Sequence, residues 1–139
     1  MLEAKQASFS FEDFTVVKFS YDKKNDNGNP MKVGFTPSGI FELSNGIFKL
    51  RLDFTAFSPE QEDKPIFSVS CLAIFEFPDK PSYDEIPKYF YANAIAIVFP
   101  YLRAFVSTLT LQANTKVLRL GLFNLSELEK PLRESTKVI

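Results

Sequence analysis

The sequence predicts an α+β fold: a four-stranded antiparallel β-meander followed by one long helix and a short C-terminal helix. Strand-like segments come first and helical ones follow, without the alternation of strands and helices that builds a parallel sheet. The longest apolar segment, Ala92 to Gln112, is the only one long enough to cover a small sheet. At 139 residues, the chain is expected to form a single domain over residues 1–139.

The first strand is predicted over residues 8–22, with an irregular phase. Phe9 and Phe11 share one parity, Phe14 and Val16 have the other, and the apolar residues after them return to the first. Two changes of parity predict either β-bulges or a strand that is apolar on both faces. The polar, turn-rich run that follows, residues 22–30, is expected to be a loop.

The second and third strands are predicted to form a hairpin. The second comprises residues 31–35 and 40–43, with an interruption near Pro37 and Gly39. Asn45-Gly46 predicts a two-residue turn, because both residues tolerate the positive φ angles that such a turn needs. In the third strand apolar residues alternate with polar ones, which predicts one packed face and one wet face; the apolar set is Phe48, Leu50, Leu52, Phe54 and Ala56.

The fourth strand is predicted from Ile66 to Phe77, and the prolines that follow it, Pro78 and Pro81, end the sheet because they cannot continue a ladder of backbone donors. Ser82 is expected to cap a short helix, with Glu85 as its capping-box partner.

Asn114 is expected to close the long helix in a left-handed cap. The apolar stretch 117–122 stays unassigned. Asn124 or Ser126 opens a last short helical turn, Pro131 is expected to end it, and the last eight residues are expected to form a solvated tail.

The long segment 92–112 repeats apolar residues at helical spacing. Further apolar residues lie off this stripe, and a helix that is apolar nearly all round must be buried on more than one side. The segment has three possible interpretations: a membrane span, a plain core helix, or a core helix that also forms a subunit interface. Arg103 near the centre argues against the span, and the third interpretation is favoured. Pro100 predicts a kink or a helix start.

Composition argues against most kinds of catalysis. There is no histidine, no glycine-rich nucleotide-binding motif, and a single cysteine, Cys71, whose apolar neighbours are expected to raise its thiol pKa. We therefore predict a protein that is not an enzyme and has no cofactor and no metal. The net charge of −1 supplies no basic field for nucleic acid. The N-terminus shows no secretory signal, which predicts a cytoplasmic protein.

The stretch from Asn93 to Thr110, N-A-I-A-I-V-F-P-Y-L-R-A-F-V-S-T-L-T, resembles the long helix of the SecB protein-export chaperone family, where an I-L-F-P-Y-x-R-x-x-[IV]-[ST] segment stands. The order of elements matches as well, as do Ile74-Phe75 before the loop into the helix. Downstream, Leu118-x-Leu120 and Asn124-x-x-x-Leu128 are similar to the family's tail pattern. The resemblance covers residues 8–130.

The resemblance implies a bacterial, ATP-independent holdase that binds unfolded or pre-export polypeptides in apolar grooves of a homotetramer, a dimer of dimers. The excess of 16 Phe agrees with this, because aromatic burial is large and weakly directional. The resemblance and the apolar stripe together give the residues expected in client binding or the oligomer interface: Ile95, Val98, Phe99, Tyr101, Leu102, Arg103, Phe105 and Leu109.

The sequence departs from the family's docking surface for the export motor ATPase SecA. Lys18 and Ser70 stand where two of the acidic residues of that surface would lie, and Asp22 keeps a third. The chain also ends in Lys137-Val138-Ile139 where the family has an acidic tail. The sequence therefore leaves open whether SecA is a partner.

Two other functions stay open on the sequence. A dedicated interaction module, such as a chaperone for an antitoxin-type client, would share the fold but capture one partner. A lipophilic small-ligand binding protein would use a groove between sheet and helix. The second of these is the weaker alternative, because no convergent polar group is visible.

Overall fold

A computed structural model describes residues 1–4, 8–121 and 123–139, and its centre is a five-stranded mixed sheet. The strands are β1 Ser10–Tyr21, β2 Lys32–Glu42, β3 Ile47–Phe57, β4 Phe67–Glu76 and β5 Thr136–Val138, and their order in the sheet is β1-β4-β3-β2-β5. Neighbouring strands are antiparallel except β5, which runs parallel to β2. The helices are α1 Lys88–Gln112 and α2 Glu129–Ser135. Three short 3-10 turns lie at Lys23–Asn25, Tyr83–Glu85 and Leu125–Leu128.

The C-terminus corrects the predicted four-stranded antiparallel sheet. The last eight residues are not a solvated tail: Leu132 is fully buried, and the Ile139 backbone N–H donates to the Phe41 carbonyl at 2.9 Å. Pro131 does not end the last helix but is the third residue of α2. Backbone N–H groups in a first helical turn have no acceptor within the helix, so a proline there loses no hydrogen bond.

The bulges predicted in β1 are confirmed. The register against β4 shifts between Phe11 and Asp13 and again between Val16 and Lys18. Each shift inserts one residue, which moves the following apolar side chains back to the same face of the sheet. The residues brought to that face pair with buried core residues of β4; they are Phe11, Phe14, Val16, Phe19 and Tyr21.

Strand β2 runs unbroken through Pro37 and Gly39, so the predicted interruption is wrong. The Phe41 carbonyl accepts from the Ile139 N–H, next to β5, so the backbone groups of Phe41 point away from β3. Pro37 lies four residues earlier in the same strand, so its backbone groups point the same way. Its missing N–H therefore removes no bond to β3. At Gly39 a Cβ would lie 2.7 Å from both the Phe48 ring and the Thr136 hydroxyl, so glycine allows this close approach.

The β2–β3 hairpin is confirmed, but its turn is longer than predicted. Glu42 pairs with Ile47, which leaves a four-residue loop, residues 43–46, in place of a two-residue turn. Gly46 has φ +65°, whereas Asn45 is not among the residues with positive φ. Gly46 donates to the Glu42 carbonyl at 2.9 Å, and its own carbonyl accepts from the Phe77 N–H at 2.7 Å.

Helix α1 covers one face of the sheet. It begins four residues before the predicted segment and passes through Pro100 without interruption. Its buried residues pack on the apolar residues of β3 and β4 in one core cluster; they are Phe90, Tyr91, Ala94, Ile95, Val98, Phe99, Leu102, Val106 and Thr110. By length and composition alone α1 is able to span a membrane, although the core helix of a soluble protein has the same composition.

The ends of the helices agree with the predicted caps. Glu85 accepts from the Ser82 backbone N–H at 3.1 Å and from its hydroxyl at 2.8 Å. Asn114, with φ +56°, follows the end of α1 in the left-handed conformation. The unassigned stretch after it is irregular over residues 117–121, and residue 122 lies outside the described residues.

Cys71 is buried between the sheet and α1, and its thiol donates to the Leu52 carbonyl at 3.3 Å. Burial raises the thiol pKa to about 11, as the apolar neighbours predict. A thiol with so high a pKa stays protonated at neutral pH, and the protonated form is a poor nucleophile.

Candidate functional site

The residues predicted for client binding or assembly separate into two groups. Ile95, Val98 and Leu102 are fully buried against the chain's own sheet, and Phe99 is 6% exposed. Arg103, Phe105 and Leu109 are partly exposed, and Tyr101 is 49% exposed. The first group supports the core, and the second is accessible to another molecule.

An aromatic strip lies along the β1 edge of the sheet, and we define it as Phe11, Phe14, Phe19, Tyr101 and Phe105. The Tyr101 ring lies 5.3 Å from that of Phe14, stacked, and 5.5 Å from that of Phe11. The rings of Phe19 and Phe105 meet edge to face at 5.4 Å. Phe19 and Tyr101 are nevertheless about half exposed, at 54% and 49%, so these two rings remain open to another apolar surface.

A second aromatic cluster lies beside β2. The Phe35 ring contacts those of Phe99 and Phe123 at 5.9 and 5.5 Å, and Phe99 contacts Phe123 at 6.0 Å. A cavity of about 190 Å³ opens next to this cluster. We call it the β2 groove; its lining is Val33, Phe35, Phe123, Asn124, Leu125, Glu127 and Leu128.

The β2 groove adjoins an open strand edge. In an antiparallel strand alternate residues direct their backbone N–H and C=O to opposite sides, and the odd residues of β2 face away from β3. Strand β5 and Ser135 occupy this side from Pro37 to Phe41, with the Ser135 hydroxyl donating to the Pro37 carbonyl at 3.1 Å. For Val33 and Phe35, no group in the described part of the chain pairs with the outward backbone groups.

An open edge beside an apolar cavity is suited to an extended polypeptide. Backbone N–H and C=O groups pair with any strand, since every residue except proline carries both. The neighbouring cavity takes alternate side chains of that strand, and aromatic walls accept many apolar shapes. The β2 groove therefore combines hydrogen bonds that do not depend on sequence with a preference for apolar side chains.

Sequence reasoning missed the groove residues Val33, Phe35 and Phe123. The helical stripe of residues 92–112 contains none of them, because they lie on β2 and on the segment before Leu125–Leu128. Only the position of Pro37 signalled an edge strand, because proline within a sheet is confined to edges and bulges.

The ionisable groups give no sign of a reaction centre in the part of the chain that the structure describes. No group of three or more His, Cys, Asp or Glu residues there is placed to hold a metal ion. Hydrogen bonds from Ser82 lower the pKa of the Glu85 carboxyl, and those from Lys49 and Asn45 lower that of Glu42. Burial raises the pKa of the Tyr91 hydroxyl. These three pKa shifts arise from structural contacts: Glu85 caps a helical turn, Glu42 lies at a strand end, and Tyr91 is in the core.

The order of strands, the single long helix on one face and the short C-terminal helix define a SecB-like α+β fold. The chain superimposes on the SecB-like chaperone Rv1957 of Mycobacterium tuberculosis, solved in complex with a ChAD peptide from the antitoxin HigA1 (Rv1956). The TM-score is 0.67 at 16% identity, over 84% of this chain and 88% of that one.

A protein of unknown function from Streptococcus agalactiae matches at a TM-score of 0.37 and 16% identity, over 82% of this chain and 97% of that one. Neither protein-family models nor curated protein sequences give a match.

Proposed function

We propose that this protein is a client-binding chaperone that holds extended, unfolded polypeptides without ATP. The open β2 edge beside the β2 groove is the observation that carries the proposal. A client strand pairs with the backbone of Val33 and Phe35, and its apolar side chains enter the cavity lined by Phe35, Phe123 and Leu128. The likeness to a SecB-like chaperone that was solved with a bound peptide supports polypeptide as the ligand.

A chemically unfolded test protein, diluted into buffer with and without a few-fold excess of this protein and no nucleotide, tests the function. We expect suppressed turbidity near stoichiometric amounts, because occupied apolar segments no longer associate with one another. Unchanged turbidity would contradict a general holdase.

Val33→Pro tests the edge directly. The change removes one outward N–H and leaves the bonds to β3 intact, as at Pro37 in the same strand. One hydrogen bond contributes about 1 kcal/mol, so we expect an apolar peptide to bind about five- to tenfold more weakly, measured by fluorescence anisotropy.

Val33→Ala is the matched control, because it shortens the side chain and keeps the N–H. We expect it to weaken binding less than Val33→Pro does. Equal losses in both variants would show that the side chain, and not strand pairing, contributes the affinity.

We further propose that the aromatic strip and the β1 edge form the contact between subunits of a homo-oligomer. Tyr89, whose hydroxyl lies 3.5 Å from that of Ser8 just before β1, is 56% exposed and extends this apolar surface. A holdase built in this way keeps its β2 grooves open, because β2 and β1 are separated by β3 and β4 in the sheet.

Tyr101→Asp is expected to break the assembly, because it places an unpaired charge between Phe11 and Phe14 in a dry interface. Light scattering should then give a smaller mass than for the wild type. Leu102 is unsuitable for this test, since it is fully buried in the chain's own core. Thr55→Asp, on the polar face of the sheet, is the control and should leave the mass unchanged.

A dedicated chaperone for one client is the second candidate, and the antitoxin peptide bound by the structural neighbour favours it. Such a protein would fail to suppress turbidity and yet retain a cognate partner from its native cell. Docking to SecA is not part of the proposal. Lys18 lies directly opposite Ser70, so these two positions do not supply the acidic side chains of a SecA-docking surface.

A further inference from the structure

A groove lies on the opposite side of α1 from the sheet, and the proposed function does not use it. It has a volume of about 640 Å³ and runs between α1 and residues 117–120. We call it the α1 groove; its lining is Pro100, Arg103, Ala104, Ser107, Thr108, Leu111, Val117, Arg119 and Leu120.

The wall of the α1 groove is fixed by hydrogen bonds from the helix. The Thr110 hydroxyl, which is fully buried, accepts from the Leu118 N–H at 2.9 Å, and the Ser107 hydroxyl donates to the Leu118 carbonyl at 3.3 Å. Both backbone groups of Leu118 are therefore held by α1. The groove is a feature of the folded chain, since its second wall is anchored to the first.

The charge of the α1 groove has one sign. Between Glu85 and Glu127 the sequence has no acidic residue and four basic ones, Lys88, Arg103, Lys116 and Arg119, although the whole chain has a net charge of −1. The lining includes two of these bases and no carboxylate. Neither Arg103 nor Arg119 takes part in an ion pair among the described residues.

Arg103 is also held in place. Its guanidinium lies 5.8 Å from the centre of the Phe99 ring, and its side chain is only partly exposed. An arginine that is oriented by an aromatic ring loses less side-chain entropy when it binds a carboxylate than a fully mobile one does. Arg119, on the fixed second wall, supplies the other cation across the groove.

We propose that the α1 groove binds an acidic and apolar segment of a client polypeptide, which gives this protein a preference among the clients of its proposed function. Carboxylates of the segment pair with Arg103 and Arg119. Its apolar side chains lie on the floor made by Ala104, Leu111 and Val117. Complementary charge of this kind selects among partners more than it raises total affinity.

Two labelled peptides with the same apolar residues test the proposal, one carrying glutamates and the other glutamines at the same positions. We expect the glutamate peptide to bind about tenfold more tightly at low salt, measured by fluorescence anisotropy. The difference should shrink at about 0.5 M salt, where screening acts over a few ångströms. Arg119→Gln and Arg103→Gln should each reduce this preference, because they lower the affinity for the glutamate peptide more than the affinity for the glutamine peptide.

Arg51→Gln is the matched control. It removes one arginine from the opposite face of the sheet and should preserve the preference for glutamate. Equal affinities for the two peptides in the wild type, or the same preference in all three arginine variants, would overturn the proposal. A fall in the mass of Arg119→Gln by light scattering would also overturn it, because a second copy of the chain would then be the occupant.

The result separates this proposal from the function on which it rests. Peptide binding that depends on Val33 but not on glutamate would leave the holdase function standing and refute the α1 groove. Failure of both peptides to bind, together with unchanged turbidity, would refute both.

Discussion

A chain that ends at Pro131 is expected to lose a large part of its free energy of unfolding. The truncation removes Leu132, which is fully buried, and loss of a buried leucine side chain costs about 2–5 kcal/mol. It also removes β5 and the carbonyl of Arg133, which accepts from the Tyr83 hydroxyl at 3.0 Å. Small domains have about 5–15 kcal/mol in total, so the urea midpoint should fall steeply.

Glu134→Ala is the control for this experiment. It removes an exposed carboxylate whose ion pair with Lys130 spans 3.8 Å, and such pairs contribute less than about 1 kcal/mol. Its midpoint should stay close to that of the wild type. A truncated chain with an unchanged midpoint would mean that the C-terminus is the solvated tail that the sequence suggested.

Gly46→Ala is expected to destabilise the protein by about 2–4 kcal/mol. The residue has φ +65°, which costs about 1–2 kcal/mol for a side chain with a Cβ. The added Cβ would also overlap the carbonyl oxygen of Phe77, and a backbone atom cannot rotate out of the way. The hydrogen bond from the Phe77 N–H to the Gly46 carbonyl should then be strained, which denaturant unfolding would register as a lower midpoint.

Gly28→Ala separates these two causes. Gly28 has φ +83°, but a Cβ there would meet no atom within 4 Å. We expect it to show only the conformational cost, about 1–2 kcal/mol. If both variants lose the same free energy, the contact between the hairpin loop and Phe77 contributes nothing measurable.

The proposed holdase function depends on how the two edges of the sheet differ. The β1 edge has an aromatic strip in common with α1, which suits contact with another folded subunit. The β2 edge is half covered by β5 and half open beside a cavity, which suits an extended client. The basic α1 groove adds charge selection at a distance from both edges. Each surface has its own variant, so the three roles can be tested separately.

The sequence by itself determined the elements whose signals are local. Alternation fixed β3, helical periodicity fixed the core face of α1, and two changes of parity predicted the bulges of β1. The caps at Ser82 and Asn114 also followed from short-range preferences. In each case neighbouring residues along the chain decide the conformation, so the pattern can be read without knowing the fold.

Only the tertiary structure decided the elements that depend on distant partners. Residues 136–138 form a strand because β2 presents a free edge to them, and Pro37 fits inside β2 because it faces that edge. The β2 groove exists because Phe35, Phe99 and Phe123, far apart in sequence, meet beside the uncovered part of β2. Such contacts join residues that are dozens of positions apart, so no local periodicity in the sequence predicts them.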